Sequence, residues 1–171
     1  MNFLKGERRE TSVETVLNYI TACEEAFLIA RVPCQDLVGK RILAVDEKYY
    51  VTDTGFRNTV VRGNLRRDVD QLLENVVYFE FLRRGYDVTI CRSREKEVDF
   101  VCDRGSERLY VQVAFTLGSE DMREREYSVL EQIKTTDAKL LLTMDRLDMS
   151  DGTIRHCYLP DFLVSNGTIK L

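Results

Sequence analysis

The chain contains 171 residues, of which 44% are apolar and 32% are charged, and its net charge is −4. This length accommodates one compact domain, or one domain with a small appendage, and no apolar run reaches the roughly 18 residues of a membrane span. The acidic balance disfavours strong autonomous binding to DNA, because proteins that grip phosphates present an excess of lysine and arginine.

The N-terminal part of the chain has the pattern of a helix followed by extended segments. A helix is predicted from Thr11 to Phe27, where a capping-box pattern precedes apolar residues at helical spacing. A strand ending at Pro33 and a β-hairpin follow, with residues 46 and 47 in the hairpin turn. This order is typical of the second half of a winged helix, so residues 1–53 are interpreted as a partial winged helix.

A shift in composition then separates two regions. Residues 54–67 contain glycines and asparagines and are interpreted as a linker. A helix is predicted next, ending at Gly85, where a left-handed cap costs little. Three closely spaced strands follow and are predicted to form an antiparallel meander, because the turns between them are short.

The C-terminal part is predicted to close an α/β core. Ser119 is the expected cap of an amphipathic helix, and the apolar strand after it is expected to run parallel to a neighbour. A last strand and a short helix complete the order α-β-β-β-α-β-β-α from Asp68. The fold class is therefore predicted as α+β, with a restriction-endonuclease-like domain over residues 68–171.

That core predicts where a phosphodiester-cleaving site would lie. Cleavage with Mg²⁺ requires two or three carboxylate or carbonyl oxygens to hold the ion and a cation, usually lysine, near the attacking water. Glu74 supplies an acid from the helix and Asp99 an acid from a strand, while Gln112 and Ala114 occupy the positions of an acid and a lysine. We therefore predict a remnant site in which Glu74, Asp99 and Gln112 are the catalytic candidates and the ligands of any Mg²⁺.

The cation that Ala114 lacks has to come from elsewhere. Lys96, in a turn before the strand of Asp99, is the candidate that we include in the site, and Lys134 is a second one. The sequence does not choose between them.

A purely structural interpretation competes with the catalytic one. In it Glu74 caps a helix or pairs with Arg84 or Arg94, and Asp99 bonds to the backbone in the turn after Glu97, because buried carboxylates are often paired for stability. Glu80, its neighbouring arginines and the charge run EDMRERE are interpreted as solvated helix faces.

Other features exclude further classes of site. Five cysteines are scattered without CxxC spacing, so they are predicted to be reduced thiols rather than zinc or redox ligands. The single histidine, His156, is interpreted as an ordinary strand-edge residue. The N-terminal ten residues lack the apolar centre of a signal peptide, so a cytoplasmic location is expected.

Several stretches together cover nearly the whole chain: TSVETVLNYITACEEAFLIARVP, KRILAVDEKYYVTDTGFRN, LLENVVYFEFLRRGYDV, KEVDFVCDRGSERLYVQVAFTL, MREREYSVLEQI and LLTMD. They resemble the C-terminal region of bacterial and archaeal AAA-type ATP-binding proteins. In that family a winged helix trails the ATPase and precedes a PD-(D/E)XK nuclease-like domain of unknown function. The resemblance implies that Glu74 matches the helical glutamate, Asp99 the strand aspartate and Gln112 the second acid.

The sequence departs from that pattern in two ways. Glutamine followed by a non-lysine at the third motif implies a catalytically degenerate site, and the absence of GxxxxGK[ST] implies that this chain has no ATP site. We therefore expect a nuclease-like module that binds a partner, such as an upstream or separate AAA ATPase module, or binds nucleic acid weakly. The alternative is an Mg²⁺-dependent DNA endonuclease with a non-standard active site. A homodimer is a third expectation, and no membrane association is expected.

Overall fold

The computed structural model describes residues 12–36, 42–60, 69–92 and 97–165. Its helices and strands follow in chain order: α1 (Val13–Glu25), β1 (Ile29–Asp36), β2 (Ile42–Val51), α2 (Thr54–Val60), α3 (Val69–Arg83), β3 (Asp87–Arg92), β4 (Glu97–Arg104), β5 (Glu107–Val113), α4 (Glu120–Glu131), β6 (Ala138–Thr143), β7 (Ile154–Tyr158) and α5 (Leu159–Val164). Within the described ranges no helix combines the length and the apolar character needed to cross a membrane.

The seven strands form one mixed sheet in the order β2-β1-β3-β4-β5-β6-β7. Strands β3, β4 and β5 are antiparallel neighbours, and β6 and β7 continue the sheet in parallel. The predicted meander, the parallel strand after the crossover helix and the α+β fold class are thereby confirmed. Whether this sheet belongs to the restriction-endonuclease-like class stays a prediction.

Helices cover both faces of the sheet, which places the core in two layers. Val77 and Phe81 of α3 and Phe162 of α5 pack in one apolar cluster, while Tyr127 and Leu130 of α4 pack in the other. Burying each such side chain contributes about 1.5–3 kcal/mol, so these layers fix α3 and α4 against the central strands. The candidate acids of α3 and β4 therefore stand on rigid elements.

The N-terminal hairpin belongs to the same sheet as the rest of the chain. Strand β1 runs antiparallel to β2 and parallel to β3, and the ring of Tyr50 stacks on that of Tyr78 at 4.9 Å between centroids. The amide of Asn75 in α3 both donates to and accepts from the backbone of Val51. The predicted division at about residue 53 thus separates elements that share one sheet and one core.

Two local predictions for this N-terminal region are wrong. Ser12, rather than Thr11, caps α1, because its hydroxyl accepts from the amide of Thr15 at 3.1 Å. Asp46 and Glu47 lie within β2 instead of a turn, since the hairpin connection falls between β1 and β2.

The first part of the predicted linker contains a helix. Thr54–Val60 is helical, because the carboxylate of Asp53 accepts from the amides of Gly55 and Phe56 and caps the helix. The remaining residues of that linker lie outside the described ranges.

The prediction of a solvated face at the end of α3 is wrong for Glu80 and Arg84, which are buried, and holds for Arg83, which is exposed. Glu80 accepts from both Arg83 and Arg84, and the Arg84 guanidinium also donates to the carbonyl of Phe162 and lies 4.1 Å from that ring. The pKa of Glu80 is held below its usual value, first of all by its hydrogen bond from Arg83. This network ties α3 to α5, so it serves the fold rather than a site.

Two helices end in the same left-handed motif but with different residues. After α3 the left-handed position is Gly85, as predicted, and after α1 it is Phe27, with φ of 55°. In both cases the amide of the following residue donates to a carbonyl five residues earlier. Leu28 donates to Cys23 after α1, and Tyr86 donates to Phe81 after α3. A side chain in this conformation is strained, and that of Phe27 is 82% exposed.

Replacing Phe27 with glycine is therefore expected to raise the free energy of unfolding by about 0.5–1 kcal/mol, because glycine removes the strain and little packing is lost. Gly85→Ala is the matched control, with open space around the new methyl group but φ of 81°. It should lower stability by about 1 kcal/mol. Urea denaturation of both variants checks the pair, and a less stable Phe27→Gly variant would contradict the account.

Candidate functional site

The site forms where α3 and β2 meet the start of β4. Glu74 lies on the face of α3 that turns toward the hairpin, and Asp99 lies near the start of β4 with 7% of its surface exposed. Both carboxylates point toward the side chain of Lys48 on β2. The structure thus brings the two predicted acids together around a lysine that the sequence analysis did not select.

Three carboxylates surround the ammonium of Lys48. Its Nζ lies 2.5 Å from Glu97 Oε1, 3.1 Å from Glu74 Oε2 and 3.8 Å from Asp99 Oδ1. Burial alone would lower the pKa of this ammonium, but the surrounding carboxylates, Glu74 first, raise it above its usual range. Lys48 is therefore a fixed positive charge at the point where the acids converge.

Tyr50 adds a second donor to the same acid. Its hydroxyl donates to Glu74 Oε2 at 3.1 Å, beside the bond from Lys48 to that oxygen. Burial, and then the charge of Glu74, raises the pKa of the Tyr50 phenol, so this group remains a donor. Both contacts come from β2, because alternate strand residues share a face.

Asp99 is the most deeply buried acid of the group. Its Oδ2 accepts from the backbone amide of Val113 at 2.9 Å, while Oδ1 faces Lys48. Burial, followed by repulsion from Glu74, raises the pKa of Asp99 well above its usual value, although Lys48 opposes that rise. Asp99 therefore does bond to the backbone, as the structural interpretation predicts. The donor is Val113 in β5 rather than a residue of the turn after Glu97.

Gln112 is held between β4 and α4. Its Oε1 accepts from the amide of Asp99 at 3.3 Å, and its Nε2 donates to Glu126 Oε2 at 3.0 Å. The other oxygen of Glu126 accepts from Arg125, and Glu126 itself is 6% exposed. An acid therefore does lie next to Gln112, but it is Glu126 of α4 and does not come from the position of Gln112 in β5.

Lys134, one of the two lysines considered from the sequence, does not reach the site. Lys134 lies at an exposed position after α4, where its Nζ donates to the carbonyl of Glu131. Lys96 lies outside the described ranges. Ala114 is buried, and its amide donates to the carbonyl of Leu142, so its position offers no cation.

Sequence reasoning missed Lys48 and Glu126, although each leaves a pattern. Lys48 alternates with the buried Tyr50 along β2, and Glu126 falls four residues from both Met122 and the buried Leu130 on α4. The interpretation of the EDMRERE run as a solvated face is wrong for Glu126 and holds for its exposed neighbours.

The residues as placed do not fit a bound Mg²⁺. Gln112 uses its carbonyl oxygen and its amide within the protein, one oxygen of Asp99 is taken by Val113, and Lys48 lies where the carboxylates meet. Over the described residues no group of three or more histidine, cysteine, aspartate or glutamate side chains is arranged to hold a metal ion. The positive charge among these acids is the ammonium of Lys48, which belongs to the protein itself.

A cleft opens beside this cluster. It has a volume of about 320 Å³ and runs between β2 and α3, with Lys48, Tyr50, Glu74 and Asn75 in its wall. The acid cluster, formed by Glu74, Glu97 and Asp99 around Lys48, is therefore reached from the cleft through Lys48 and Glu74, whereas Asp99 is buried.

The remaining residues considered for metal or redox chemistry are the cysteines and the histidine. None of the five cysteines is joined in a disulfide, so all are reduced thiols. The ring of His156 is buried in the edge strand β7, bonded to the hydroxyl of Thr143 and to the amide of Met149. Burial lowers the pKa of His156, which keeps the ring neutral and able to accept from that amide.

Comparison with known proteins gives a relative without an assigned activity. An uncharacterized protein of Haemophilus influenzae strain Rd is 36% identical to this chain over 165 residues. The match takes in 95% of this chain, but the chain spans only about 40% of the length of that relative. No family model and no solved structure matches the sequence.

Proposed function

We propose that this chain is a restriction-endonuclease-like module of an AAA-type ATP-binding protein that binds a partner and does not cleave nucleic acid. The observation that carries the proposal is the position of Lys48, whose ammonium lies among Glu74, Glu97 and Asp99. An internal cation at that point engages the acids that a nuclease would use to hold its metal ion.

The topology supports the nuclease-like part of the proposal. Helix α3, the antiparallel strands β3 to β5, helix α4 and the parallel strand β6 follow in the order expected of that core. Glu74 and Asp99 occupy the helix and strand positions that the family resemblance implies. Gln112 and Ala114 replace the remaining acid and lysine, which agrees with loss of cleavage.

The relative supports the placement of the module in a longer protein. It is more than twice as long as the matching stretch, since that stretch is 40% of its length. An ATPase module elsewhere in such a protein is the partner that the family resemblance implies. The net charge of −4 favours a protein partner over nucleic acid, because phosphates repel an acidic surface.

A second candidate function is an Mg²⁺-dependent endonuclease with a non-standard active site. The specific observation in its favour is that β2 supplies, through Lys48, the cation that Ala114 cannot supply. It requires Lys48 to leave the point where the carboxylates meet, so that an ion can reach them. The same lysine would then be catalytic rather than an internal counter-ion.

A plasmid-nicking assay with Mg²⁺ and with Mn²⁺ separates the two candidates. Wild type, Asp99→Asn and Lys48→Met are compared, with circular dichroism confirming that each variant folds. We expect no metal-dependent nicking by wild type above the level of Asp99→Asn. Nicking by wild type that both substitutions abolish would overturn the binding module and establish the endonuclease.

A further inference from the structure

A second cationic position lies away from the acid cluster, at the start of β6. Lys139 is 6% exposed, and its neighbours in the sheet are Tyr110 of β5 and Ile154 of β7. Among the described residues its ammonium has no hydrogen-bond or ion-pair partner. Most of the side chain is buried, whereas its ammonium reaches the surface without a partner in the described part of the protein and is open to a ligand.

Lys139 lines a surface cavity of about 680 Å³. Lys134, Thr136 and Thr153 also line it, and these three side chains are exposed at its rim. The carboxylate of Glu131 is in the same wall, so two ammonium groups face one acid and the lining is net positive. The hydroxyl of Thr135 donates to the carboxylate of Asp137. The hydroxyls of Thr136 and Thr153 add further donors at the rim.

We propose that this cavity binds a compact oxyanion, a phosphate group, with Lys139 at its base and Lys134 at its rim. Ammonium groups and hydroxyls are donors that match the oxygens of such a group, and charge-assisted hydrogen bonds are the stronger ones. Burial, and then the charge of Lys134, lowers the pKa of Lys139. A bound anion would oppose this shift, since an opposite charge favours the charged form of both lysines.

The cavity shares no lining residue with the cleft beside Lys48. A negative result for the phosphate site would therefore leave the proposed binding module unaffected, and the reverse also holds. The two sites also differ in chemistry, because the acid cluster repels anions and this cavity attracts them.

Titration of the ¹⁵N-labelled chain with inorganic phosphate, observed through the amide shifts of Thr135, Thr136 and Thr153, tests the proposal. Saturable shifts are expected in wild type, and binding about tenfold weaker in Lys139→Met, whose side chain has a similar length without the charge. Lys134→Met should weaken binding to a smaller extent. Arg83→Gln is the control for net charge, because Arg83 is on the surface of α3 and should leave binding unchanged.

Parallel titrations identify the source of the phosphate group. Tighter binding of adenosine monophosphate than of inorganic phosphate supports a nucleotide, and tighter binding of a 5′-phosphorylated than of a 5′-hydroxyl oligonucleotide supports a chain end. If neither is tighter, free phosphate is the ligand. Absence of saturable shifts in wild type, or equal shifts in Lys139→Met, would overturn the site.

A stability measurement guards against a misfolded variant. Without phosphate, Lys139→Met should be about as stable as wild type, because methionine keeps most of the buried aliphatic stem and the ammonium that it removes has no partner among the described residues. With phosphate, wild type should gain thermal stability relative to chloride at matched ionic strength, and Lys139→Met should not. A phosphate-dependent gain in Lys139→Met would contradict the proposal, and Lys139→Gln repeats the test if the methionine variant does not fold.

Discussion

Replacement of Lys48 with methionine is expected to lower the free energy of unfolding by about 2–4 kcal/mol, because removal of one partner leaves the others of a desolvated ion cluster without compensation. Lys48 contacts Glu74, Glu97 and Asp99, and all four side chains are less than a third exposed. Methionine keeps most of the aliphatic stem, so the loss reports the charge rather than a cavity.

Urea denaturation at neutral pH measures this effect, with the midpoint and the slope compared between variants. Lys134→Met is the matched control, because that lysine is exposed and bonds only to the carbonyl of Glu131 among the described residues. Its effect should lie within about 0.5 kcal/mol of zero. A Lys48→Met variant as stable as this control would show that the acids do not depend on the internal cation.

Two substitutions of Asp99 are expected to differ strongly. Asp99→Ala should cost about 2–3 kcal/mol, because the buried amide of Val113 loses its acceptor and Lys48 loses a partner. Asp99→Asn keeps an acceptor for Val113 and the shape of a protonated aspartate, so its stability near neutral pH should lie within about 1 kcal/mol of wild type. Equal losses in both variants would contradict the assigned role of the carboxyl.

The pH dependence follows from the raised pKa of Asp99. Above its unfolded-state pKa, about 3.9, the native state binds more protons at this position than the unfolded state, so stability falls as pH rises toward the native-state pKa. Asparagine does not titrate. The stability of wild type relative to Asp99→Asn should therefore decline between about pH 4 and the native-state pKa, as measured by urea denaturation over that range. A relative stability that rises with pH would show that the pKa of Asp99 is lowered.

Local chemistry made much of the fold predictable. Gly85 and Ser119 were assigned as helix caps because a left-handed backbone and an N-terminal hydroxyl acceptor each favour particular residue types, and both assignments are confirmed. Short turns between β3, β4 and β5 leave an antiparallel arrangement as the natural one. These signals lie within a few residues of the structure that they determine.

The hairpin turn was not predictable in the same way. Asp46 and Glu47 are typical turn residues, yet they lie in β2 beside an irregularity where the pairing shifts between Pro33 and Cys34. Proline has no amide to donate to the strand ladder, so a shift of register there costs little. Pairing across the sheet therefore outweighed the preference of the single residues.

The central residue of the site could not be located from local patterns. Lys48 and Glu74 are 26 residues apart and meet because β1 pairs in parallel with β3, which carries β2 to the edge beside α3. Glu74 and Asp99 were identified because helix and strand positions follow from the topology. Lys48 depends on a strand pairing that its neighbouring sequence does not specify.

The most direct test is the dependence of stability on divalent cations, measured by thermal unfolding of wild type and Lys48→Met with Mg²⁺ or Mn²⁺ and with a chelator. If Lys48 occupies the position of a metal ion, wild type should unfold at the same temperature in all conditions. Lys48→Met, with its three carboxylates uncompensated, should then be restabilised by the metal. Metal-dependent stabilisation of wild type, lost in Asp99→Asn, would contradict the account and indicate a functional metal site.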